Sequence, residues 1–432
     1  MFEYLNGKKI IVLGIGKEGL STLNFLRSKL KNISIAVADE QPLEKLSKDA
    51  QVVIKNDPSI ELCLGKDYLK DIEKYDLVFK TPGIPSKKIP AKTNITSQAE
   101  IFLELFGNQI IGVTGTKGKS TTASLIYKIL KDAGKDAELV GNIGSPALDH
   151  LKDTTRKIFV YELSSYQLEN VKASPHIAVL LNIFEEHLDY HGTLDSYAKA
   201  KANITKWQSE NDFIVFNQNS GAVKAIVDSS PAQKVSFSAK DESKFFQATK
   251  LKGKHNQNNI LAAAAVASIL KIPPAAIKKS IEGFEPLKYR LEFVAKRNGI
   301  EFYNDSISTI PESTIAALQS LAPNVSTLIL GGLNRGVNYK TLAQKIIDEK
   351  IENLILFPET GQIVEEELKK IPSLQPNCQS VSNMKDAVAA AAKITPWGKI
   401  CLLSPAAASF NIFRDYQDRG DQFTTEVLKL KS

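Results

Sequence analysis

The sequence predicts an α/β fold made of three consecutive α/β domains, and three observations predict it. Short apolar runs alternate with stretches of helical periodicity along the chain, the pattern of parallel sheets with helices on their faces. The alternation restarts at Ile110 and again near Tyr289, which places joints near residues 100 and 287 and domains at 1–100, 101–287 and 288–432. At 432 residues the chain is also too long for one ordinary hydrophobic core.

In the first domain IIVLG (Ile10–Gly14) reads as a strand, followed by helical periodicity over Gly19–Leu30. Ile33–Ala38 reads as a second strand, Gln51–Ile54 as a third, and Leu77–Lys80 as a fourth running into the turn TPGIP (Thr81–Pro85). In the second domain the strand Ile110–Thr114 leads through a Gly-rich turn into a helix reaching Leu130. IFVYEL (Ile158–Leu163) and IAVLLNI (Ile177–Ile183) are near-continuous apolar runs, as in strands buried on both faces, and FIVFN (Phe213–Asn217) continues the series. The Ala-rich Leu261–Leu270 fits a core helix. In the third domain LEFVAKRNGIEFYNDS predicts a hairpin turning at Asn298-Gly299. Ser326–Gly332, Asn353–Phe357 and Lys399–Pro405 then read as strands separated by helices.

The composition is that of a soluble globular enzyme, with 24% charged and 43% hydrophobic residues. The net charge of +7 is spread thinly, and no Lys/Arg block with interleaved aromatics appears, so nucleic-acid binding is not expected. Cys63, Cys378 and Cys401 are isolated and read as reduced thiols. No apolar stretch is long enough to span a bilayer and the N-terminus has no secretory pattern, so a cytoplasmic protein without membrane insertion is expected.

Two turns carry phosphate chemistry. Gly14-Ile15-Gly16-Lys17-Glu18-Gly19 fits GxGxxG between a strand and a helix, and Asp39 follows twenty residues beyond Gly19. On spacing this is a dinucleotide fingerprint, although a tight strand–helix turn that binds nothing has the same pattern. Gly115-Thr116-Lys117-Gly118-Lys119-Ser120 is the stronger signal. Backbone N–H groups there cradle phosphate, Lys119 meets the terminal phosphates and the Ser120 hydroxyl can ligate Mg²⁺. The loop departs from the usual GxxxxGK[ST] spacing, because residue 113 is Val. Glu162 ends one apolar run and Glu185, Glu186, His187 and Asp189 follow another, at the strand ends where α/β sheets collect ligands. Oxygen-seeking Mg²⁺ suits Glu162 with Ser120, and His187 is favoured by its location. His150, His176, His191 and His255 read as solvated or capping residues.

Taken together, GTKGKST (115–121), YELSSYQLE (161–169), NIFEEHLDYH (182–191), GKHNQNNILAA (253–263), YRLE (289–292), YNDS (303–306), LGG (330–332) and LSPAAASF (403–410) occur in the order seen in the Mur ligases. The chain resembles that family of ATP-dependent amide-forming enzymes of peptidoglycan precursor synthesis over essentially its whole length. Within it, LSSYQLE, the short first domain and SPAAASFNIFRDYQDRGDQF are most similar to members that join glutamate to UDP-N-acetylmuramoyl-L-alanine. The resemblance implies a Rossmann-like UDP-binding first domain, a P-loop-type ATP-binding centre and a Rossmann-like amino-acid-binding third domain. It implies transfer of the γ-phosphate of ATP to a carboxylate and attack of an amine on the acyl phosphate. ATP and Mg²⁺ are the implied cofactors, UDP-N-acetylmuramoyl-L-alanine and glutamate the substrates, and a monomer the expected state.

Carried onto this sequence, the resemblance implies that Gly115, Thr116, Lys117, Gly118, Lys119, Ser120 and Thr121 hold the ATP phosphates. Glu162 and His187 become metal ligands with Ser120, and Lys201 in YAKAKAN the lysine that the family carbamylates. Asn256 and Asn259 fall where adenine is contacted, and Arg290 and Asp305 where the third domain meets ATP. Asn142 would face the acyl acceptor, while Gly14, Gly16, Lys17, Gly19, Asp39 and Gly83 of the TPGIP turn would receive the UDP moiety. For the amino acid the candidates are Arg335, Ser404 and the backbone near Phe410. The sequence departs from the glutamate-adding pattern at Ile307, where lysine is usual and an apolar side chain cannot pair with a carboxylate. D-glutamate is the expected substrate. L-glutamate, another Mur or folylpolyglutamate-type acceptor, and a nucleotide-binding subunit without turnover are the alternatives.

Overall fold

The structure, a computed structural model, describes residues 5–30, 33–151, 154–238, 245–246, 249–251 and 253–431. The side chains of Asp189 and His255, both weighed above, lie outside the described residues. The chain folds as two compact units, Met1–Thr249 with His255–Phe284 and Lys250–Lys254 with Glu285–Ser432.

The first unit carries two parallel sheets. β1 (Lys9–Leu13), β2 (Ser34–Asp39), β3 (Glu61–Leu64), β4 (Leu77–Lys80) and β5 (Ile95–Thr96) lie in the order β3-β2-β1-β4-β5. β6 (Ile110–Thr114), β7 (Ala137–Gly141), β8 (Ile158–Glu162), β9 (Ile177–Leu180), β10 (Phe213–Asn217) and β11 (Gln233–Phe237) lie in the order β11-β10-β9-β6-β8-β7. In both sheets the first strand sits inside, and later strands are laid down on either side of it. Such a reversal of direction opens a crevice at the carboxyl ends of the flanking strands.

One apolar cluster contains residues of both sheets, from Ile10 and Val12 to Phe159, Tyr161 and Leu180. The helix Gln98–Phe106 between them is buried along most of its length and begins at Ser97, whose hydroxyl accepts from the Glu100 N–H. Its Phe102 packs edge-on against Phe159, with centroids 4.9 Å apart, and against Tyr161 at 5.7 Å.

The second unit holds β12 (Glu292–Arg297), β13 (Ile300–Asn304), β14 (Val325–Gly331), β15 (Asn353–Phe357), β16 (Asn377–Ser380) and β17 (Ile400–Leu403), in the order β12-β13-β17-β14-β15-β16. β12 and β13 form the antiparallel hairpin expected from Asn298-Gly299, whose φ angles of 48° and 77° are those of a type I′ turn. The remaining neighbours pair in parallel. Among the described residues no helix is long and apolar enough to cross a membrane.

The fold corrects one assigned strand. Gln51–Ile54 lies in the helix Lys48–Asn56, capped by the Ser47 hydroxyl accepting from the Ala50 N–H. Ala50 and Ile54, four residues apart, face the core, whereas Val52 is 56% exposed, so the period is helical. Ile54→Ala should therefore destabilise the first unit by about 2–4 kcal/mol, and Val52→Ala by less than about 0.5 kcal/mol. Urea unfolding of the two variants checks this. In a strand the two side chains would share a face and lose comparable stability.

Candidate active site

The crevice of the second sheet assembles the phosphate turn. β6 ends at Thr114, level with Leu180 of β9, so Gly115 emerges beside Leu181 and Asn182. Asn182 then grips the turn. Its carbonyl accepts from the Thr116 N–H (2.7 Å), its Oδ1 from the Lys117 N–H (3.0 Å), and its Nδ2 donates to the Lys117 carbonyl (3.3 Å). The Thr116 hydroxyl, 2% exposed, donates to the Phe184 carbonyl and accepts from the Phe184 N–H and the Tyr197 hydroxyl. Gly118 has φ 90°, and a Cβ there would strike the Asn259 amide. Only glycine suits that position. Asn259 is buried and donates to Asn256 Oδ1 (2.9 Å). Thr121 is buried in the first turn of the following helix, Lys119–Asp132.

Charged groups converge beneath this turn. Lys119 Nζ folds back onto the carbonyls of Gly115 (3.0 Å) and Thr116 (2.9 Å). Lys201, on the helix Leu194–Lys206, is 1% exposed, and its Nζ donates to the Gly115 carbonyl (2.9 Å). Burial, followed by the Lys119 charge, pulls its pKa well below the ordinary lysine value. Glu162, fully buried at the end of β8, accepts on Oε1 from the Ser120 hydroxyl and the Asn142 amide, each at 3.1 Å. Its Oε2 is buried without a hydrogen-bond partner among the described residues. An orphaned anionic oxygen beside a serine hydroxyl is a donor set that suits a hard divalent cation such as Mg²⁺.

His187 adopts φ 59°, a strained conformation for a non-glycine residue, and lies 4.0 Å from Glu186 Oε2. Burial first, then neighbouring lysines, lower its pKa, favouring the neutral imidazole that ligates metals. No group of three or more His, Cys, Asp or Glu side chains is placed to hold a metal among the described residues.

The crevice of the first sheet brings together the two turns singled out for a sugar nucleotide. Gly14 (φ 86°) follows β1, and a Cβ on it would run into the Thr81 hydroxyl of the TPGIP turn after β4. Gly19 backs so closely onto the Gly14 carbonyl that it too has no room for one. Gly16 and Gly83 instead face open space. The Asp39 carboxylate is engaged with backbone, accepting from the N–H groups of Ile15 (2.8 Å) and Gln41 (2.9 Å). Lys17 Nζ donates to the Gly144 carbonyl in the loop that carries Asn142. Buried Lys80 pairs with Glu169 at 3.2 Å, and Tyr190 donates to the same carboxylate at 2.9 Å. Tyr166 lies against the rings of His187, Tyr190 and His191, so the segment bearing His187 also touches the first-sheet turn.

In the second unit the candidates again lie beyond strand ends. Asp305 follows β13 and is buried, accepting from Ser308 (2.6 Å), Ser404 (2.7 Å) and the Leu291 N–H (3.2 Å). Ser404, expected at the amino acid, is fully buried, and its hydroxyl is committed to Asp305 in this arrangement. Arg290 sits between Tyr289 and Leu291, both at positive φ. Arg335 lies over the exposed Phe410 ring at 5.9 Å, its charged fork near the surface. Arg419, unassigned from sequence, is fully buried and binds Ser306 and the Ala407 carbonyl through all three guanidinium nitrogens.

Three residues that shape these crevices were not singled out from sequence: Asn182, Tyr197 and Arg419. Only Asn182 had a local signal, a polar residue closing the apolar run IAVLL.

Burial pushes Asp305 up to about 6, against the lowering effect of its hydrogen bonds. The native state thus binds a proton that the unfolded chain, near 3.9, has released. This stabilisation is complete below about pH 4 and lost as pH rises through about 6. Asp305→Asn should abolish that pH dependence and raise stability at pH 7 by about 2 kcal/mol, as read by unfolding at pH 4.5 and 7.

Comparison with known proteins places the chain in a family. The Mur ligase middle domain matches residues 113–267, and the Mur ligase MurD-like N-terminal domain matches residues 8–102. The UDP-N-acetylmuramoylalanine--D-glutamate ligase of Geobacillus kaustophilus is 34% identical, with 99% of each chain covered. Its counterpart in Symbiobacterium thermophilum is 32% identical over 97% of this chain and 98% of its own. The MurF ligase of Thermotoga maritima, solved in complex with ADP, shares the fold with a TM-score of 0.61 at 16% identity, covering 99% of this chain and 97% of that one. Kinship at this level runs from end to end, and the chain belongs to the Mur ligase family.

Proposed function

We propose that the protein is an ATP-dependent ligase joining D-glutamate to UDP-N-acetylmuramoyl-L-alanine in peptidoglycan precursor synthesis, acting in the cytoplasm as a monomer. The observation that carries the reading is the phosphate turn set against a buried Glu162 with an orphaned oxygen. The relatives named for D-glutamate favour that amino acid over L-glutamate.

A carboxylate is a poor acyl donor. Transfer of the γ-phosphoryl group to its oxygen releases ADP and makes phosphate the leaving group. The amine then attacks the acyl carbon, the C–N bond forms, the C–O bond to phosphate breaks, and the amine gives up one proton and keeps one N–H in the amide. Backbone N–H groups of residues 115–120 hold the ATP phosphates and Lys119 offsets their charge. Ser120, Glu162 and His187 would hold Mg²⁺, which supplies charge neutralisation when bound. Asn256 and Asn259 serve the adenine side, Asn142 orients the acyl acceptor, and the turns at Gly14–Gly19 and Thr81–Pro85 seat the UDP group. In the second unit Arg335 offers a planar cation for the amino acid's carboxylate.

Lys201 fits carbamylation. Addition of CO₂ requires a neutral amine, and the buried Lys201 is held toward that form. The carbamate would add an anionic donor to the set of Ser120, Glu162 and His187.

ADP release with UDP-N-acetylmuramoyl-L-alanine, ATP and Mg²⁺ is expected with D-glutamate and not with L-glutamate. Turnover with L-glutamate alone would assign the other stereoisomer, with Ile307 as its marker, and silence with both would refute the acceptor. Lys119→Met should lower kcat by about 100-fold or more. Lys201→Ala should lose activity and regain part of it with added short carboxylates. Absence of rescue together with full activity in CO₂-depleted buffer would reject the carbamate.

A further inference from the structure

The phosphate turn carries more positive charge than one lysine supplies. Lys119 donates to the Gly115 carbonyl, and Lys117 projects from the same turn. Lys117 Nζ reaches Glu186 Oε1 at 2.5 Å, and Glu186 also lies 4.0 Å from His187. The pair is asymmetric. The Glu186 side chain is 12% exposed and sunk among the cations, while that of Lys117 is 37% exposed. The Lys117 backbone is pinned on both sides by Asn182, and Gly118 cannot accept a side chain, so movement at this position belongs to the four-carbon stem.

We propose that Lys117 is a second phosphate-binding cation held on Glu186, and that a bound nucleoside triphosphate exchanges this carboxylate for its γ-phosphate. The inference rests on the nucleotide reading of the turn and extends it to nucleotide selectivity. A partly exposed ion pair is weak enough to exchange, and a terminal phosphate carries more charge and more acceptor oxygens than a carboxylate. Without nucleotide, Glu186 offsets the repulsion between the Lys117 and Lys119 ammonium groups of the turn. Once the γ-phosphoryl group has left, a diphosphate lacks the group that drew Lys117 away, and the Lys117–Glu186 pair re-forms. The exchange therefore favours the triphosphate over the diphosphate product.

Binding calorimetry on the full chain with Mg²⁺ and either ADP or a non-hydrolysable ATP analogue tests the exchange. Lys117→Met should weaken the analogue by about tenfold and ADP by less than about twofold, while Lys117→Arg keeps the preference. Glu186→Gln should tighten the analogue severalfold when Lys117 is present and leave it unchanged in the Lys117→Met background. Equal weakening of both nucleotides by Lys117→Met, or an equal gain from Glu186→Gln in both backgrounds, would overturn the inference and leave the nucleotide site standing. Failure of the unmodified protein to bind either nucleotide would remove both. Because Lys117→Arg and Glu186→Gln preserve side-chain volume, a folding defect confined to Lys117→Met would not mask the result.

Discussion

Asn182 holds the phosphate turn, and the rest of the first unit's site depends on that grip. Its backbone carbonyl and both ends of its amide meet the Thr116 and Lys117 peptide groups. The contact exists because β9 and β6 run parallel and end level, Thr114 opposite Leu180. On the other side of β6, β8 ends with Glu162 opposite Val113, which brings the carboxylate under Ser120. Three adjacent buried strands thus deliver a loop, an acid and an amide to one crevice.

Charge is concentrated there at the expense of local stability. Lys201 is almost fully buried against the Gly115 carbonyl and the Thr114 hydroxyl, and among the described residues Glu162 Oε2 has no hydrogen-bond partner. A buried ionisable group that lacks full compensation destabilises the fold. Ligands that complete these groups return that stability on binding. Asp305 shows the same design in the second unit, where serine hydroxyls only partly offset its burial. The apolar cluster shared by both sheets and bridged by the helix Gln98–Phe106 provides the rigidity that tolerates such a site.

How much of this was legible depended on burial. β6, β10 and β15 coincide with their apolar runs, because a strand covered on both faces must be apolar throughout. β3, β5, β7, β11 and β16 were not anticipated, and all are sheet edges. β16, Asn-Cys-Gln-Ser, owes its place to hydrogen bonds with β15 and not to its side chains. The remaining edge, β12, was readable through its Asn-Gly turn. Gln51–Ile54 misled because a short apolar run fits either period, and the Ser47 cap and the core contacts of Ala50 and Ile54 decide for helix.

The sequence by itself determined the two restarts of the α/β pattern, the Gly-rich turn at residues 115–120 and the family resemblance, since these are local patterns of glycine, lysine and apolar residues. Tertiary structure alone decided that Asn182 clamps the turn, that Glu186 faces Lys117 across sixty-nine residues, and that Lys201 is stripped of water beneath Gly115. It likewise committed the Ser404 hydroxyl to Asp305, ninety-nine residues away. The physical reason is distance along the chain. A hydrogen bond or a desolvation penalty between remote residues leaves no mark on the composition around either one, and comes into being only when parallel strands bring their ends together.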